Sequence, residues 1–460
     1  MNNPSLSLAT PSPMFTTGRQ KLALAVAGLG ALLLLITWAA GHAVAPLPTF
    51  LVAMTLLTLG TGIFIREEYL RRPEGIKNNG VWLRSLTARG VWGWLFGIII
   101  TGFYVCLYWW PEYLGVRGGG VPNVGLAALF DPLSYALRGQ AANQWFVYGT
   151  FYTVAVLLMG WKFIQKYRHN PYQLIRSVSV MFFQLGFAFL LPGLLLRLQQ
   201  PEIYFTYFWP LSYYQGTPMA YEHYAPFSLG MFYFWFGLAM FFIGTPVLTY
   251  FFGKRWYCSW VCGCGGLAET AGDPFRHLSD KSLGAWKLER WLIYAVLGFA
   301  ILMTALLWIN VATGRGVLGT FSEGFYKTYS FAVGSVFSGV IGVGFYPLMG
   351  SRVWCRFGCP MAAWLGFWQK KASKFRITTN GGQCISCGNC STYCEMGIDV
   401  RHYAQRGQDV VRASCVGCGI CAAVCPRGVL RLEGAAADIP ERTRQTRTVM
   451  IPVEDVRILK

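Results

Sequence analysis

Residues 384–426 read CISCGNCSTYCEMGIDVRHYAQRGQDVVRASCVGCGICAAVCP and contain eight cysteines. The cysteines form two runs with the same spacing, C-x2-C-x2-C-x3-C, and each cysteine of the second run lies 31 residues after its counterpart in the first. Pro426 follows the last cysteine. Eight thiols in two matching runs indicate two metal sites with four thiolate ligands each.

The spacing matches that of two-cluster bacterial ferredoxins, in which the fourth cysteine of each run binds the other [4Fe–4S] cluster. The two predicted ligand sets are therefore crossed. They are Cys384, Cys387, Cys390 and Cys425 for cluster I, and Cys415, Cys418, Cys421 and Cys394 for cluster II. The alternative is two structural zinc sites, which also take four ligands each but do not require tandem runs of this spacing. The runs therefore predict an electron carrier.

The composition predicts a membrane protein. Of the 460 residues, 54% are hydrophobic and only 13% are charged, whereas soluble proteins carry about 25% charged residues. We attribute the net charge of +19 to the Lys- and Arg-rich cytoplasmic loops of a membrane protein, so nucleic acid is not an expected partner. A secreted disulfide scaffold would be small and rich in cysteine throughout. Thiolate cluster ligands instead indicate a reducing compartment, the cytoplasm.

Eight apolar stretches are long enough to cross a bilayer, which takes about 20 residues. They lie near 22–40, 49–65, 91–110, 145–164, 177–197, 228–252, 291–312 and 331–349. Lys and Arg are concentrated in alternate loops, and the loops 41–48 and 198–227 contain neither. The positive-inside rule therefore places both termini and the cysteine-rich segment in the cytoplasm.

The predicted fold class is an all-α polytopic membrane bundle of about eight transmembrane helices with a small α+β two-[4Fe–4S] ferredoxin domain. Five segments are expected. They are a disordered cytoplasmic tail at 1–20, an N-terminal four-helix membrane region at 21–176, a membrane core at 177–371, the ferredoxin domain at 372–433 and a cytoplasmic tail at 434–460.

A second set of cysteines follows two of the predicted spans. Residues 253–258 read GKRWYC and residues 350–355 read GSRVWC, 97 residues apart, and each copy continues as C-x3-C. The four thiols are Cys258, Cys262, Cys355 and Cys359. Their i, i+4 spacing predicts that both thiols of a pair lie on one helical face, and the repeat predicts that the pairs form one shared site.

The chemistry of this shared thiol site is open. Soft thiolates hold an iron–sulfur cluster or Cu(I), and paired thiols also cycle as disulfides. Cysteines that serve only in packing are the remaining alternative. Cys264 follows the first pair and has no counterpart in the second copy, so the two copies are not fully symmetric.

Paired membrane C-x3-C motifs followed by a two-cluster ferredoxin segment resemble the NosR/NapH/CcoG group of membrane polyferredoxins. The resemblance covers roughly residues 177–433. It implies electron transfer in bacterial respiration at the inner membrane, either to a periplasmic reductase or for copper reduction during oxidase assembly. Two parts of the group have no counterpart: no loop is large enough for the flavin-binding domain of NosR-like members, and 434–460 is too short for the immunoglobulin-like domain of CcoG-like members.

Other cofactor sites are less well marked. None of the five histidines lies within a predicted span, and the sequence has no C-x-x-C-H, so no haem is expected. The loop 201–227 is rich in aromatic residues, which is typical of the membrane interface. The alternative for this loop is a quinol pocket in which Glu222 or His223 accepts a proton.

These features predict a membrane-bound protein that passes electrons between cytoplasmic [4Fe–4S] clusters, a membrane thiol site and a quinone-linked or periplasmic respiratory reductase. Two other functions stay open: a copper-handling assembly factor for a respiratory metalloenzyme, and a redox-sensing regulatory membrane protein. The expected partners are the lipid bilayer, quinone or quinol, and a redox partner protein.

Overall fold

A computed structural model describes residues 17–70, 87–118, 120–314, 318–380 and 383–433. The predicted tail at 434–460 lies outside the described residues. Of the predicted tail at 1–20, only the last four residues are described, and they already belong to the start of a helix, because Thr17 caps a helix that begins at Gly18.

Seven helices are long and apolar enough to cross a membrane. They are α1 (Gly18–Ala40), α2 (Pro46–Tyr69), α3 (Val91–Trp109), α4 (Gln144–Lys166), α5 (Pro171–Arg197), α6 (Ser228–Phe252) and α7 (Leu283–Ala312). Each matches one of the first seven predicted spans. Their lipid-facing sides are apolar: Ile98, Phe242 and Ile243, for example, are about two-thirds exposed.

Two of these helices contain wide π-helical turns, at Phe183–Leu190 in α5 and at Met240–Gly244 in α6. A proline follows each stretch closely, Pro192 in the first and Pro246 in the second. Proline has no N–H to donate to the preceding turn and its ring pushes against that turn, so the helix widens or bends there.

The eighth predicted span is irregular. Helix α8 (Gly319–Tyr329) continues as a π-helix (Ser330–Ile341), turns, and ends in a short helix (Tyr346–Met349). Tyr329 packs with Met303 and Leu307 near the end of α7, whereas Gly350 lies against Ser279 before the start of α7. The segment therefore runs antiparallel to α7 and returns the chain to the side from which α7 began.

Shorter helices fill the connections. They are Pro111–Leu114 (3-10), Gly125–Arg138, Pro218–Tyr224, Arg255–Cys258, Gly263–Thr270, Asp273–Leu278 (3-10), Trp354–Gly358 (π) and Pro360–Lys371. The second of these was not predicted. Leu129 and Phe130 on its buried side pack against Phe50 of α2 and Phe146 of α4, so it covers the first helices of the bundle.

The C-terminal domain is a small α+β unit. Strands β1 (Arg376–Thr379) and β2 (Leu430–Glu433) pair antiparallel, with Ile377 opposite Leu432. Three one- or two-turn helices lie between them, Asn389–Thr392, Val400–Gln405 and Ile420–Ala423. The first and third are 31 residues apart, as are the two cysteine runs. A helical bundle carrying this domain confirms the predicted fold class.

Candidate iron–sulfur and thiol sites

The eight ferredoxin cysteines line two separate cavities. Their members are Cys384, Cys387, Cys390 and Cys425 in the first cavity, and Cys394, Cys415, Cys418 and Cys421 in the second. The structure thus brings together the same sets that the crossed arrangement predicts. The fourth cysteine of each run reaches the other cavity because its run turns away after the short helix that carries the third cysteine, Cys390 or Cys421.

The donor sets fit four-iron clusters better than single ions. Among the described residues, no three His, Cys, Asp or Glu side chains converge closely enough to hold one metal ion. A zinc site needs such convergence, with every ligand atom about 2.3 Å or less from one ion. In a cubane cluster each thiolate binds a different iron, so the sulfurs stand further apart. The backbone N–H of Ile398 also donates to Cys394 Sγ at 3.4 Å, an interaction that tunes cluster thiolates.

The two cavities differ in their surroundings. The first lies at the outer end of the domain, where Cys387 is exposed and Ile385 is 56% exposed. The second faces the membrane bundle, and Cys415 and Cys421 are buried. A soluble partner can therefore approach the first cavity, whereas the second is covered by the bundle.

Hydrogen bonds fix the second cavity to the bundle. Side chains of the bundle donate to backbone carbonyls of residues 413–418. These bonds are Lys254 Nζ to Ala413 (3.2 Å), Gln369 Nε2 to Cys415 (2.7 Å), Ser259 Oγ to Val416 (2.8 Å), Tyr172 OH to Gly417 (2.8 Å) and Gln173 Nε2 to Cys418 (2.9 Å). Satisfying a buried carbonyl avoids the penalty for an unpaired polar group, so this loop has a defined position on the bundle.

The four predicted membrane thiols meet in one buried cluster. Cys258, Cys262, Cys355 and Cys359 are each 5–7% exposed. Their thiols lie close enough to one another to interact electrostatically, within a core that also contains Tyr257 and Trp354. Cys264, which was not among the predicted site residues, also belongs to the cluster, because its thiol forms a hydrogen bond with Cys262. Its position two residues after Cys262 was the only signal. None of the fourteen cysteines, all of which are described, forms a disulfide.

The prediction that each pair lies on one helical face is wrong. Cys258 ends the helix Arg255–Cys258, and Cys262 caps the next helix, Gly263–Thr270. In the second copy Cys355 lies in the turn Trp354–Gly358, and Cys359 caps Pro360–Lys371. Both capping cysteines have extended backbones. Pro360 explains this for Cys359, because a residue before proline avoids the helical region.

The backbone conformation explains why each copy of the motif begins with a glycine. Gly253 and Gly350 have φ of +70° and +91° and end the preceding helices. Residues with a Cβ rarely adopt this conformation. The two sharp turns direct the following cysteines back into the bundle from equivalent helix ends.

The thiol environments are asymmetric. Burial raises the pKa of Cys258 to about 12, whereas a hydrogen bond with Cys264 lowers the pKa of Cys262 to about 7. In the second copy Arg352 Nη1 donates to Cys355 Sγ at 3.6 Å, and the backbone N–H of Ala362 donates to Cys359 Sγ at 3.4 Å. The two copies therefore stabilise their sulfur atoms by different contacts.

A buried charge network lies between the second cavity and the membrane thiols. Its side chains are at most 5% exposed, and they are the cations Lys162, Lys166, Arg176, Arg276 and Arg352 and the anions Glu269, Asp273 and Glu395. Five cations against three anions leave a net charge of +2. Lys166, Arg176 and Arg352 belong to the Lys and Arg pattern of the predicted cytoplasmic loops, and all three are buried ion-pair partners.

The ion pairs of this network are short. Lys166 and Arg276 lie 2.8 and 3.0 Å from the Asp273 carboxylate, and Arg352 lies 2.7 Å from Glu269. Burial alone would raise the pKa of Asp273, but Lys166, Lys162 and Arg276 outweigh burial and hold it below its ordinary value. The surrounding cations therefore keep the Asp273 carboxylate ionised beneath the ferredoxin domain.

The aromatic loop is not simply an interfacial belt. Ile203, Phe208 and Leu211 are 0–5% exposed, and Tyr257, next to Cys258, donates from its hydroxyl to the carbonyl of Thr206 at 2.6 Å. The loop thus enters the bundle and touches the thiol site. Glu222 and His223, the candidate proton acceptors, are exposed.

The chain is similar to known iron–sulfur proteins. Residues 383–430 match the family model of a 4Fe-4S dicluster domain. Residues 233–282 and 331–378 each match the model of a 4Fe-4S binding domain, and these two segments contain the two C-x3-C motifs. No solved structure is significantly similar to the chain.

Two curated relatives cover part of the chain. YccM of Escherichia coli (strain K12), named for electron transport, is 28% identical over 32% of this chain and 43% of its own length. The methylamine utilization ferredoxin-type protein MauN of Methylobacillus flagellatus (strain ATCC 51484 / DSM 6875 / VKM B-1610 / KT) is 29% identical over 33% of this chain and 53% of its own length. The matched regions thus span about half of each relative. The chain thus contains 4Fe–4S ferredoxin-type domains together with helices that are long and apolar enough to cross a membrane.

Proposed function

We propose that this protein conducts electrons between two [4Fe–4S] clusters with crossed ligands and a shared redox site at the membrane thiols, as a polyferredoxin of the NosR/NapH/CcoG type. One observation carries the proposal. Ser259, the residue after Cys258, donates its hydroxyl hydrogen to the carbonyl of Val416, the residue after Cys415, at 2.8 Å. The loop of a membrane thiol and the loop of a cluster ligand are therefore in direct contact.

The proposed order of sites follows from exposure. A soluble partner meets cluster I at the exposed Cys387, and cluster II lies behind it against the bundle. The thiols of Cys258, Cys262, Cys355 and Cys359 come next. Each cluster supplies a one-electron couple when bound, and the protein holds the sites in sequence. Either direction of flow fits this order.

The buried network suits cluster II electrostatically. Glu395 and Glu269 act on the charge of Cys418, and Arg176 and Arg276 oppose them. Lys281 acts on the charge of Cys394, again against Glu395. Excess cations nearby stabilise a negatively charged cluster and stabilise its reduced form more, because reduction adds another negative charge. The charged side chains of the network thereby favour the reduced form of cluster II, which lies next to the bundle.

The proposed setting is the bacterial inner membrane, with the ferredoxin domain in the cytoplasm and a quinone pool or a periplasmic respiratory reductase as the distant partner. The Lys and Arg pattern of the loops and the resemblance support this orientation. The membrane thiols would work either as ligands of a further iron–sulfur centre or as redox disulfides.

Anaerobic purification tests the proposal. Iron, sulfide, copper and flavin are quantified, and an EPR redox titration follows on the wild type and on Cys258→Ser. We expect iron and sulfide for at least two clusters, and unchanged ferredoxin signals in the variant with electron transfer lost. Cys106→Ser, outside every proposed site, is the control. Stoichiometric zinc in place of iron and sulfide would overturn the proposal.

A further inference from the structure

A large cleft opens on the ferredoxin side of the bundle, apart from the cluster cavities. Its volume is about 790 Å³. It lies between the residues that precede α3, the start of α7 and the segment after α8. Four cationic side chains line it, Arg89, Lys281, Arg352 and Arg356. The only acidic side chain in its described lining is Asp280.

Two of these cations have neutral partners. Arg89 donates to the carbonyls of Leu348 and Leu278, at 2.7 and 2.9 Å. Lys281 donates to the carbonyls of Ser279 and His277, at 2.7 and 3.1 Å. Within the described ranges, neither has a carboxylate within ion-pair distance. Both Asp280 carboxylate oxygens already accept hydrogen bonds from Ser282. The cleft therefore has an excess of positive charge.

A third cation points to a missing ligand. The Arg356 side chain is 3% exposed, its Nε donates to Glu289 at 2.7 Å, and its Nη1 donates to the carbonyl of Asp280. Its Nη2 is buried and has no acceptor. A buried N–H without a partner is costly and rare in proteins. Since Arg356 lines the cleft, an anionic oxygen placed there would supply the missing acceptor.

The apolar part of the cleft faces the bilayer. Leu288 in the first turns of α7 and Met349 after α8 both line it and are 55% and 46% exposed. Trp291, one turn further along α7, is 81% exposed, as expected of a residue at the lipid interface. A ligand with a negative head and an apolar tail matches this combination, whereas free phosphate would leave Leu288 and Met349 uncovered.

We infer that this cleft binds an anionic phospholipid. The phosphate lies among Arg89, Lys281 and Arg356, and an acyl chain runs over Leu288 and Met349. Basic pockets between helices at the cytoplasmic face are suited to such head groups. Arg352 also lines the cleft and contacts Cys355, so the lipid sits beside the membrane thiol site. The inference does not depend on the proposed electron transfer.

Native mass spectrometry of the full-length protein tests this site. The protein is exchanged into detergent and titrated with phosphatidylglycerol, phosphatidylcholine or inorganic phosphate. We expect one phosphatidylglycerol to be retained at least roughly tenfold more tightly than phosphatidylcholine, because only the former carries a net negative charge. Equal retention of both lipids, or occupancy by inorganic phosphate that phosphatidylglycerol does not displace, would overturn the assignment.

Charge variants locate the lipid. The double variant Arg89→Gln/Lys281→Gln should bind phosphatidylglycerol roughly tenfold or more weakly. Lys287→Gln is the matched control, since Lys287 lies on the same helix as Leu288, is exposed and does not line the cleft. Unchanged ferredoxin EPR signals show that the variants are folded. Equal affinity in the double variant and the control would contradict the site.

Discussion

Arg352 and Glu395 form a fully buried ion pair, with Nη2 and Oε1 2.9 Å apart. Glu395 directly follows Cys394, and Arg352 donates through Nη1 to Cys355 Sγ at 3.6 Å. One guanidinium thus contacts a membrane thiol and the neighbour of a cluster ligand. The pair joins the ferredoxin domain to the membrane thiol site both mechanically and electrostatically.

Breaking this pair should destabilise the docked domain. Glu395→Gln leaves Arg352 and Arg276 without the carboxylate that lies 2.9 and 3.2 Å from them. Removing one partner of a buried ion pair costs about 3–5 kcal/mol, and we expect a loss of this size in thermal or denaturant unfolding of the purified protein. Arg19→Gln is the control: its pair with Glu67 is long and Arg19 is 63% exposed, so the loss should be about 1 kcal/mol or less. Similar losses in both variants would show that the buried pair has no special role.

Crossed ligation predicts which cluster each cysteine supports. Cys394 belongs to the first run but lies in the cavity of Cys415, Cys418 and Cys421. Cys394→Ser should therefore damage the cluster of the second run and leave the other intact. EPR spectra of the reduced variant, compared with those of Cys387→Ser, distinguish the two. Loss of the same signal in both variants would show that ligation is not crossed.

The shared thiol site predicts non-additive losses. Cys258→Ser and Cys355→Ser should each abolish electron transfer through the site, and the double variant should be no worse, because residues that act as a unit fail together. The ferredoxin clusters should stay assembled in all three. Full electron transfer in either single variant would contradict the shared site and indicate that these cysteines serve only in packing.

A variant that keeps every cysteine tests the same site. A Cβ at Gly265 would lie 2.0 Å from the carbonyl oxygen of Cys258, so Gly265→Ala must displace the thiol loop. Gly284→Ala is the control, because its Cβ would meet only Ser282 Oγ at 3.8 Å. We expect thiol-site function to fall in the first and persist in the second, measured as electron transfer at equal cluster content.

The charge network predicts a shift in reduction potential. Arg176 pairs with Glu269 and acts on the charge of Cys418. Arg176→Gln removes a positive charge near cluster II and destabilises its reduced form, so its potential should fall. A tenfold change in a one-electron equilibrium corresponds to about 59 mV, and we expect a fall of roughly this size in an EPR titration. Cluster I should not shift; equal shifts of both clusters would contradict the placement.

Most of the candidate site could be predicted from the spacing of the cysteines. The ligands of a cluster occur at fixed intervals in the sequence, so two matching runs suffice to propose both ligand sets. Gly253 and Gly350 mark the ends of the two equivalent helices that precede the membrane thiols. The membrane part of the fold class followed from the length of the apolar stretches, and the ferredoxin part followed from the cysteine runs. Cysteine spacing, glycine positions and apolar stretches are patterns within the sequence itself, so they can be recognised without a structure.

Contacts between residues far apart in the chain could not be predicted from the sequence. Nothing nearby in sequence shows that Arg352 meets Glu269 and Glu395, which lie 83 and 43 residues away. The loop containing Phe208 was predicted to be interfacial, because an aromatic-rich loop has the same composition whether it faces lipid or enters the bundle. The break between Cys258 and Cys262 was missed because i, i+4 spacing also occurs across a helix junction.

Counting the electrons that the purified protein accepts tests the central claim most directly. In an anaerobic coulometric titration, two ferredoxin clusters take up one electron each, and a redox-active thiol site takes up more. The wild type should therefore accept more than two electrons per chain, and Cys258→Ser/Cys355→Ser, with its clusters intact, should accept two. The same count of two for both proteins would contradict a membrane redox centre and leave the protein with its ferredoxin clusters alone.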